Sequence, residues 1–104
     1  MSQGDTDAVA GLAHGFASAG QKANAEKLLR DLEERSKKDY VSAYMIATIY
    51  AVLGRKDQAF GWMEKAYRER SPDIAYFIKA DLRVDKLRSD PRYLELVRRI
   101  GLPQ

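Results

Sequence analysis

The chain has 104 residues, no cysteine, one histidine, one tryptophan and three prolines. Without cysteine there are no disulfides, no thiol nucleophile and no thiolate zinc site. A single His14 leaves only carboxylates to complete a metal site. Asp81, Asp85 and Asp90 lack the odd-numbered spacing and the glycine of a calcium loop. No apolar run approaches the ~20 residues that span a membrane. Residues 8–19 are apolar enough to suggest a leader, with Ala17-Ser18-Ala19 as its cleavage site. The acidic segment before them and His14 within them argue against that reading, and the cytoplasm is the expected location. Gly11, Gly15 and Gly20 match neither a P-loop nor a dinucleotide fingerprint.

What is present is charge, helical periodicity and a repeat. Lys and Arg number 18, Asp and Glu 15, for a net charge of +3. Residues 1–67 hold nine of each sign, so the whole excess lies in 68–104. The basic pairs Lys37-Lys38 and Arg98-Arg99 are short, lack interleaved aromatics and form no long stripe, so nucleic acid is not the expected partner. Asp7, His14 and Ser18 share one side of a helix. A straight helix offers neither an oriented imidazole nor an oxyanion site, so no catalytic residue is assigned.

Apolar spacing predicts helices from Asp5–Asp7 as caps to Gly20, from Lys22 to about Ser36, and from about residue 40, with Asp39 or Ser42 as its cap, to Leu53. A further one runs from Lys56 to Arg70. Gly11 and Gly15 would weaken the first helix by about 1 kcal/mol each, a cost that close approach of another helix would offset. Ser71-Pro72-Asp73 and Asp90-Pro91 read as helix starts. They open a fifth helix over 72–80 and a last one ending at Gly101. Leu82, Val84 and Leu87 are the expected anchors of the charged stretch between, and Leu94, Val97 and Ile100 the inward face of the last helix.

The third helix and its turn repeat the first at a lag of 34. Gly20 anticipates Gly54, Ala25 anticipates Ala59, Ala13 anticipates Ala47, and Ala17 anticipates Ala51. Leu12 pairs with Ile46, Phe16 with Tyr50, Leu28 with Trp62 and Leu29 with Met63. This resembles the tetratricopeptide repeat, a 34-residue helix–turn–helix unit. Ile46-Ala47, Tyr50, Gly54, Ala59, Met63 and Ala66 carry the second unit's match, and Leu12-Ala13, Phe16, Gly20, Ala25 and Leu29 the first's. Val9 and Ala43 stand where the family has tryptophan, Leu32 where it has a small residue, and Pro72 comes one residue late. The tail, with Leu87-Arg88-Ser89-Asp90-Pro91-Arg92-Tyr93 and Arg98-Arg99-Ile100-Gly101-Leu102-Pro103, resembles C-terminal tetratricopeptide segments of bacterial regulators, cyclases and kinases.

The resemblance implies one all-α domain. Antiparallel helical hairpins occupy about 6–38 and 39–71, followed by a capping region over 72–104 with a fifth helix and a C-terminal capping helix. The whole would be a fragment of a right-handed superhelix. It implies a non-catalytic, cofactor-free protein-interaction module that binds a peptide or helix in a concave groove. On this chain the groove positions are His14, Ser18, Val41, Tyr44, Met45, Thr48, Val52 and Lys79, with Ala10 and Ala17 beside them. The carboxylate clamp of chaperone-binding members is not matched, since Ala10, His14, Tyr44 and Thr48 stand in its places. The alternatives are a homo-oligomerisation module, or an internal packing segment of a larger regulatory protein whose neighbouring domain or own tail covers the same residues.

Overall fold

Two short turns set the architecture. At Gly20 and Gly54 the backbone enters the left-handed region, with φ of 82° and 81°. A residue with a Cβ is strained there, and glycine is not. Around each glycine the hydrogen bonds are the same. Gln21 N donates to Phe16 O and Arg55 N to Tyr50 O. Gly20 N donates to Ala17 O and Gly54 N to Ala51 O. These bonds satisfy the last carbonyls of the preceding helix and turn the chain back on itself.

The computed structural model describes residues 3–38, 41–69, 74 and 81–100, of which 3–7 and 83 are described in backbone only. Their regular secondary structure is all helical, with no strand among them. The α-helices are α1 (Gln3–Ser18), α2 (Lys22–Ser36), α3 (Ala43–Leu53), α4 (Lys56–Arg68) and α5 (Pro91–Ile100), with a 3-10 helix at Leu82–Leu87 before α5. Helix α1 packs on α2, α3 on α4, and α3 also lies against α1, α2 and the 3-10 helix. The expected helix over 72–80 falls outside the described residues except for Ile74, which is helical and buried.

Helix α1 starts at Gln3, so Asp5–Asp7 lie within it rather than capping it. Acidic residues in the first turns still complement the helix dipole. Of the two candidate caps for α3, Ser42 takes the role: its Oγ accepts from Met45 N at 3.2 Å. Asp90 does the same for α5, accepting from Arg92 N at 2.9 Å.

The core has two joined parts. Ala13, Leu29 and Leu32 of the first hairpin enclose Ile46, Ile49 and Leu53 of α3. On the opposite side of α3, Ala47, Ala51, Met63 and Ala66 meet Val84, Leu87, Tyr93 and Leu96. Tyr50 and Trp62 touch both parts. This explains why α3 is apolar nearly all round: it is the central helix and is covered on both flanks. Further ties are polar. Tyr50 Oη donates to Glu33, and Arg55 pairs with Glu26, each joining the second unit to α2.

Three expectations need correction, and the two units differ at one equivalent position. Leu82 is 78% exposed, while its neighbours Val84 and Leu87 are buried. The 3-10 winding, three residues per turn, puts 84 and 87 on one side and excludes 82. Leu94 is 51% exposed, and the buried face of α5 is Tyr93, Leu96 and Val97, with Ile100 half-buried. Leu12 is 58% exposed although its counterpart Ile46 is fully buried, because among the described residues no element packs over that side of α1. Finally, no neighbouring atom lies within 4 Å of where a Cβ would sit on Gly11 or Gly15. Nothing in the described chain approaches α1 closely enough to account for those glycines.

Candidate partner-binding surface

The expected groove positions lie on α1 and α3. Thr48 is fully buried, and its Oγ1 donates to Met45 O at 2.7 Å. His14 Nε2 lies 2.8 Å from the same oxygen. The hydroxyl has a single hydrogen, already given to Met45, so the bond to His14 runs from Nε2–H to Oγ1. One side chain of each unit is thereby joined across the interface, at equivalent positions 34 residues apart.

The other end of the expected groove is closed by the chain itself. The 3-10 helix lies along α3 and is anchored at both ends. Tyr44, 2% exposed, donates from its hydroxyl to Asp81 Oδ2 at 2.8 Å. Lys86 Nζ donates to Val52 O at 2.9 Å, where a cation also meets the negative end of the helix dipole. Arg88 adds a bond to Asp81 O at 2.9 Å and one to Tyr93 Oη at 2.8 Å.

The eight positions therefore separate. Tyr44 and Thr48 are interior, and Val41 is buried among the first unit's apolar side chains. Val52 is half-buried under Lys86. His14 and Met45 are half-buried and Ser18 is exposed. Lys79 lies outside the described residues. Ala10 and Ala17, on the same side of α1, are buried. What stays open is a strip formed by His14, Ser18 and Met45.

Sequence reasoning missed a second concavity, between α4 and α5. It encloses about 320 Å³ over Phe60 and Gly61. Arg92 crosses it to Asp57 at 2.8 Å, and Arg99 crosses it to Glu64. The Arg92 guanidinium also lies 4.6 Å over the Phe60 ring. The signal was present in the chain: acids at 57 and 64 and arginines at 92 and 99 share a seven-residue spacing, two helical turns. The hydrogen bond from Arg92 is the main reason Asp90 titrates low, at about 2, and Arg99 likewise lowers Glu64. Tyr50 is shifted well above the usual phenol range, first by burial and then by its bond to Glu33.

Among the described residues no three histidines, cysteines or carboxylates converge as metal ligands. No described helix is long and apolar enough to cross a membrane. No family model, curated protein or solved structure matches the chain.

Proposed function

We propose that the chain is a non-catalytic protein-interaction module built from two tetratricopeptide-type units in a right-handed superhelical fragment, working in the bacterial cytoplasm. The observation that carries this reading is the duplication of the turn. Glycines 34 residues apart share one φ and one set of hydrogen bonds, and equivalent side chains of successive units meet at His14 and Thr48. A 34-residue period of this kind is the mark of units that stack and present a continuous surface. The partner is a peptide or helix lying across the strip of His14, Ser18 and Met45. Met45 supplies an adaptable apolar contact and Ser18 a rim hydrogen bond. Tyr44, Thr48 and Val52 act from behind, holding α3 in place.

The test is affinity capture from nuclease-treated lysate, using wild type beside the variants Ser18→Arg and Met45→Glu, each checked for native helicity. These positions are chosen because Thr48 and Tyr44 are interior and their substitution would disturb folding. A protein retained by wild type, lost by both folded variants and then bound in purified form supports the reading. Equal retention by all three overturns it. A second reading, a self-associating module or a segment packed within a larger regulatory protein, is favoured by the burial of Tyr44 and by the uncharged outer side of α1.

A further inference from the structure

The outer side of α1 differs from the exposed sides of α2, α4 and α5. Helix α2 shows water Lys22, Lys27, Arg30 and Glu34, α4 shows Lys56 and Asp57, and α5 shows Arg92 and Arg98. From residue 8 to residue 19, α1 and its turn carry no Asp, Glu, Lys or Arg at all. The exposed residues there include Ala8, Leu12, Gly15 and Ala19. Solvated helix faces carry charge, and an uncharged one with a large exposed leucine is the composition of an interface. Leu82 and Leu94 are also exposed, but Leu94 sits among Arg92, Glu95 and Arg98, and single exposed leucines are ordinary.

The repeat register identifies this face. Leu12, Gly15 and Ala19 correspond to Ile46, Ile49 and Leu53, the residues with which α3 docks on the first hairpin. The face is therefore the first unit's version of an interface already used once inside the chain. The opposite end of the stack cannot receive it. There Ala47, Ala51 and Met63 are covered by Val84, Leu87 and Tyr93. Head-to-tail growth is closed off, and only a symmetric, head-to-head pairing can bury the same face on both copies.

The spacing of the four residues specifies how. Ala8, Leu12, Gly15 and Ala19 step by four, three and four, the seam of a heptad. In an antiparallel pair, with a two-fold axis between positions 13 and 14, Ala8 meets Ala19 and Leu12 meets Gly15. Each large side chain faces the smallest one. A parallel pair would set leucine on leucine and leave a void at glycine. The same arrangement accounts for Gly15, which costs α1 about 1 kcal/mol relative to alanine and which nothing among the described residues requires.

We propose that α1 pairs antiparallel with α1 of a second copy of this chain, each Leu12 seated over the partner's Gly15. The proposal rests on the interaction-module reading but uses a face apart from the strip around Met45. The seam is short, so the dimer belongs with small interfaces of under about 1,200 Å² and assembles in the upper micromolar range.

The experiment is sedimentation velocity across roughly 10 µM to 1 mM, on wild type, Leu12→Glu, Gly15→Leu and Met45→Glu, with helicity and thermal midpoint recorded for each. Wild type should dimerise, and Leu12→Glu should stay monomeric while keeping its fold. Gly15→Leu is the decisive variant. It adds apolar surface and has room for its side chain in the monomer. The seated geometry requires that dimerisation weaken by at least about tenfold while the monomer keeps or gains thermal stability. Stronger association in Gly15→Leu means unspecific adhesion and overturns the proposal, as does wild type that is monomeric throughout or a dimer indifferent to Leu12→Glu. Met45→Glu should dimerise as wild type does. Loss of dimerisation in that variant would place the contact on the strip instead and overturn the α1 seam while leaving the interaction-module reading intact.

Discussion

His14 and Thr48 stand 34 residues apart and 2.8 Å from each other, the same position of two successive units joined by one hydrogen bond. Thr48 has no exposure to water, so its hydroxyl depends on His14 and Met45 O for its partners. Replacing Thr48 by Val keeps the shape and removes the hydroxyl. We expect a loss of about 1–2 kcal/mol, read as a lower urea midpoint with unchanged slope. Nitrogen-15 spectra of the imidazole should show hydrogen on Nε2 in wild type.

The glycines should divide into two groups. Gly54→Ala forces a Cβ into the left-handed region and should cost about 1–2 kcal/mol. Gly11→Ala meets open space and removes helix-weakening backbone freedom, so it should stabilise by about 0.5–1 kcal/mol. Thermal denaturation at low micromolar concentration measures both, and opposite signs are the expected outcome.

The leucines of the C-terminal third should separate in the same way. Leu87→Ala and Leu96→Ala empty buried sites and should each cost about 2–5 kcal/mol. Leu82→Ala and Leu94→Ala remove exposed side chains and should stay within about 0.5 kcal/mol. Denaturant titrations of the four variants decide it. A severe loss in Leu82→Ala would show that the 3-10 helix is wound differently.

Acid should weaken the junction of α4 and α5. Asp90 is lowered from 3.8 to about 2 by hydrogen bonding from Arg92, and Glu64 is lowered by Arg99. A carboxylate with a depressed folded-state pKa contributes stability that is present above its unfolded value and lost as pH falls toward the folded one. Stability should therefore decline from about pH 4 down to about pH 2. Arg92→Ala should flatten the part of this limb due to Asp90 without changing stability's dependence on pH above neutrality. Midpoints measured across this range in wild type and Arg92→Ala test the assignment.

Much of the fold was legible because it is local. A glycine after an apolar helical run marks a left-handed cap. Ser42 and Asp90 sit where caps are needed, and the 34-residue lag announced that both hairpins would turn alike. Alternatives remained where two local signals were equivalent: Ser42 and Asp39 were both acceptable caps, and Leu94 fits a helical stripe as well as Leu96 does. Periodicity names a stripe, but a stripe shifted by a residue or two is nearly as good in sequence. Packing against α4 selected Tyr93, Leu96 and Val97.

The candidate site was legible only in part, and for a different reason. Choosing α1 and α3 as its walls requires the repeat alone. Knowing that Tyr44 would be covered requires the path of residues 81–87, which carry no repeat and whose winding brings Asp81 to Tyr44 and Lys86 to Val52. The cleft over Phe60 likewise depends on two ion pairs that span 35 residues each.

The sequence by itself determined the described α-helices, their two like turns and the positions that are equivalent between units, since these follow from backbone conformation and spacing within a few residues. Only the tertiary structure decided which equivalent positions are covered. Ile46 is buried and Leu12 is not, though both occupy one register, because burial belongs to the neighbour that arrives and not to the residue that waits for it.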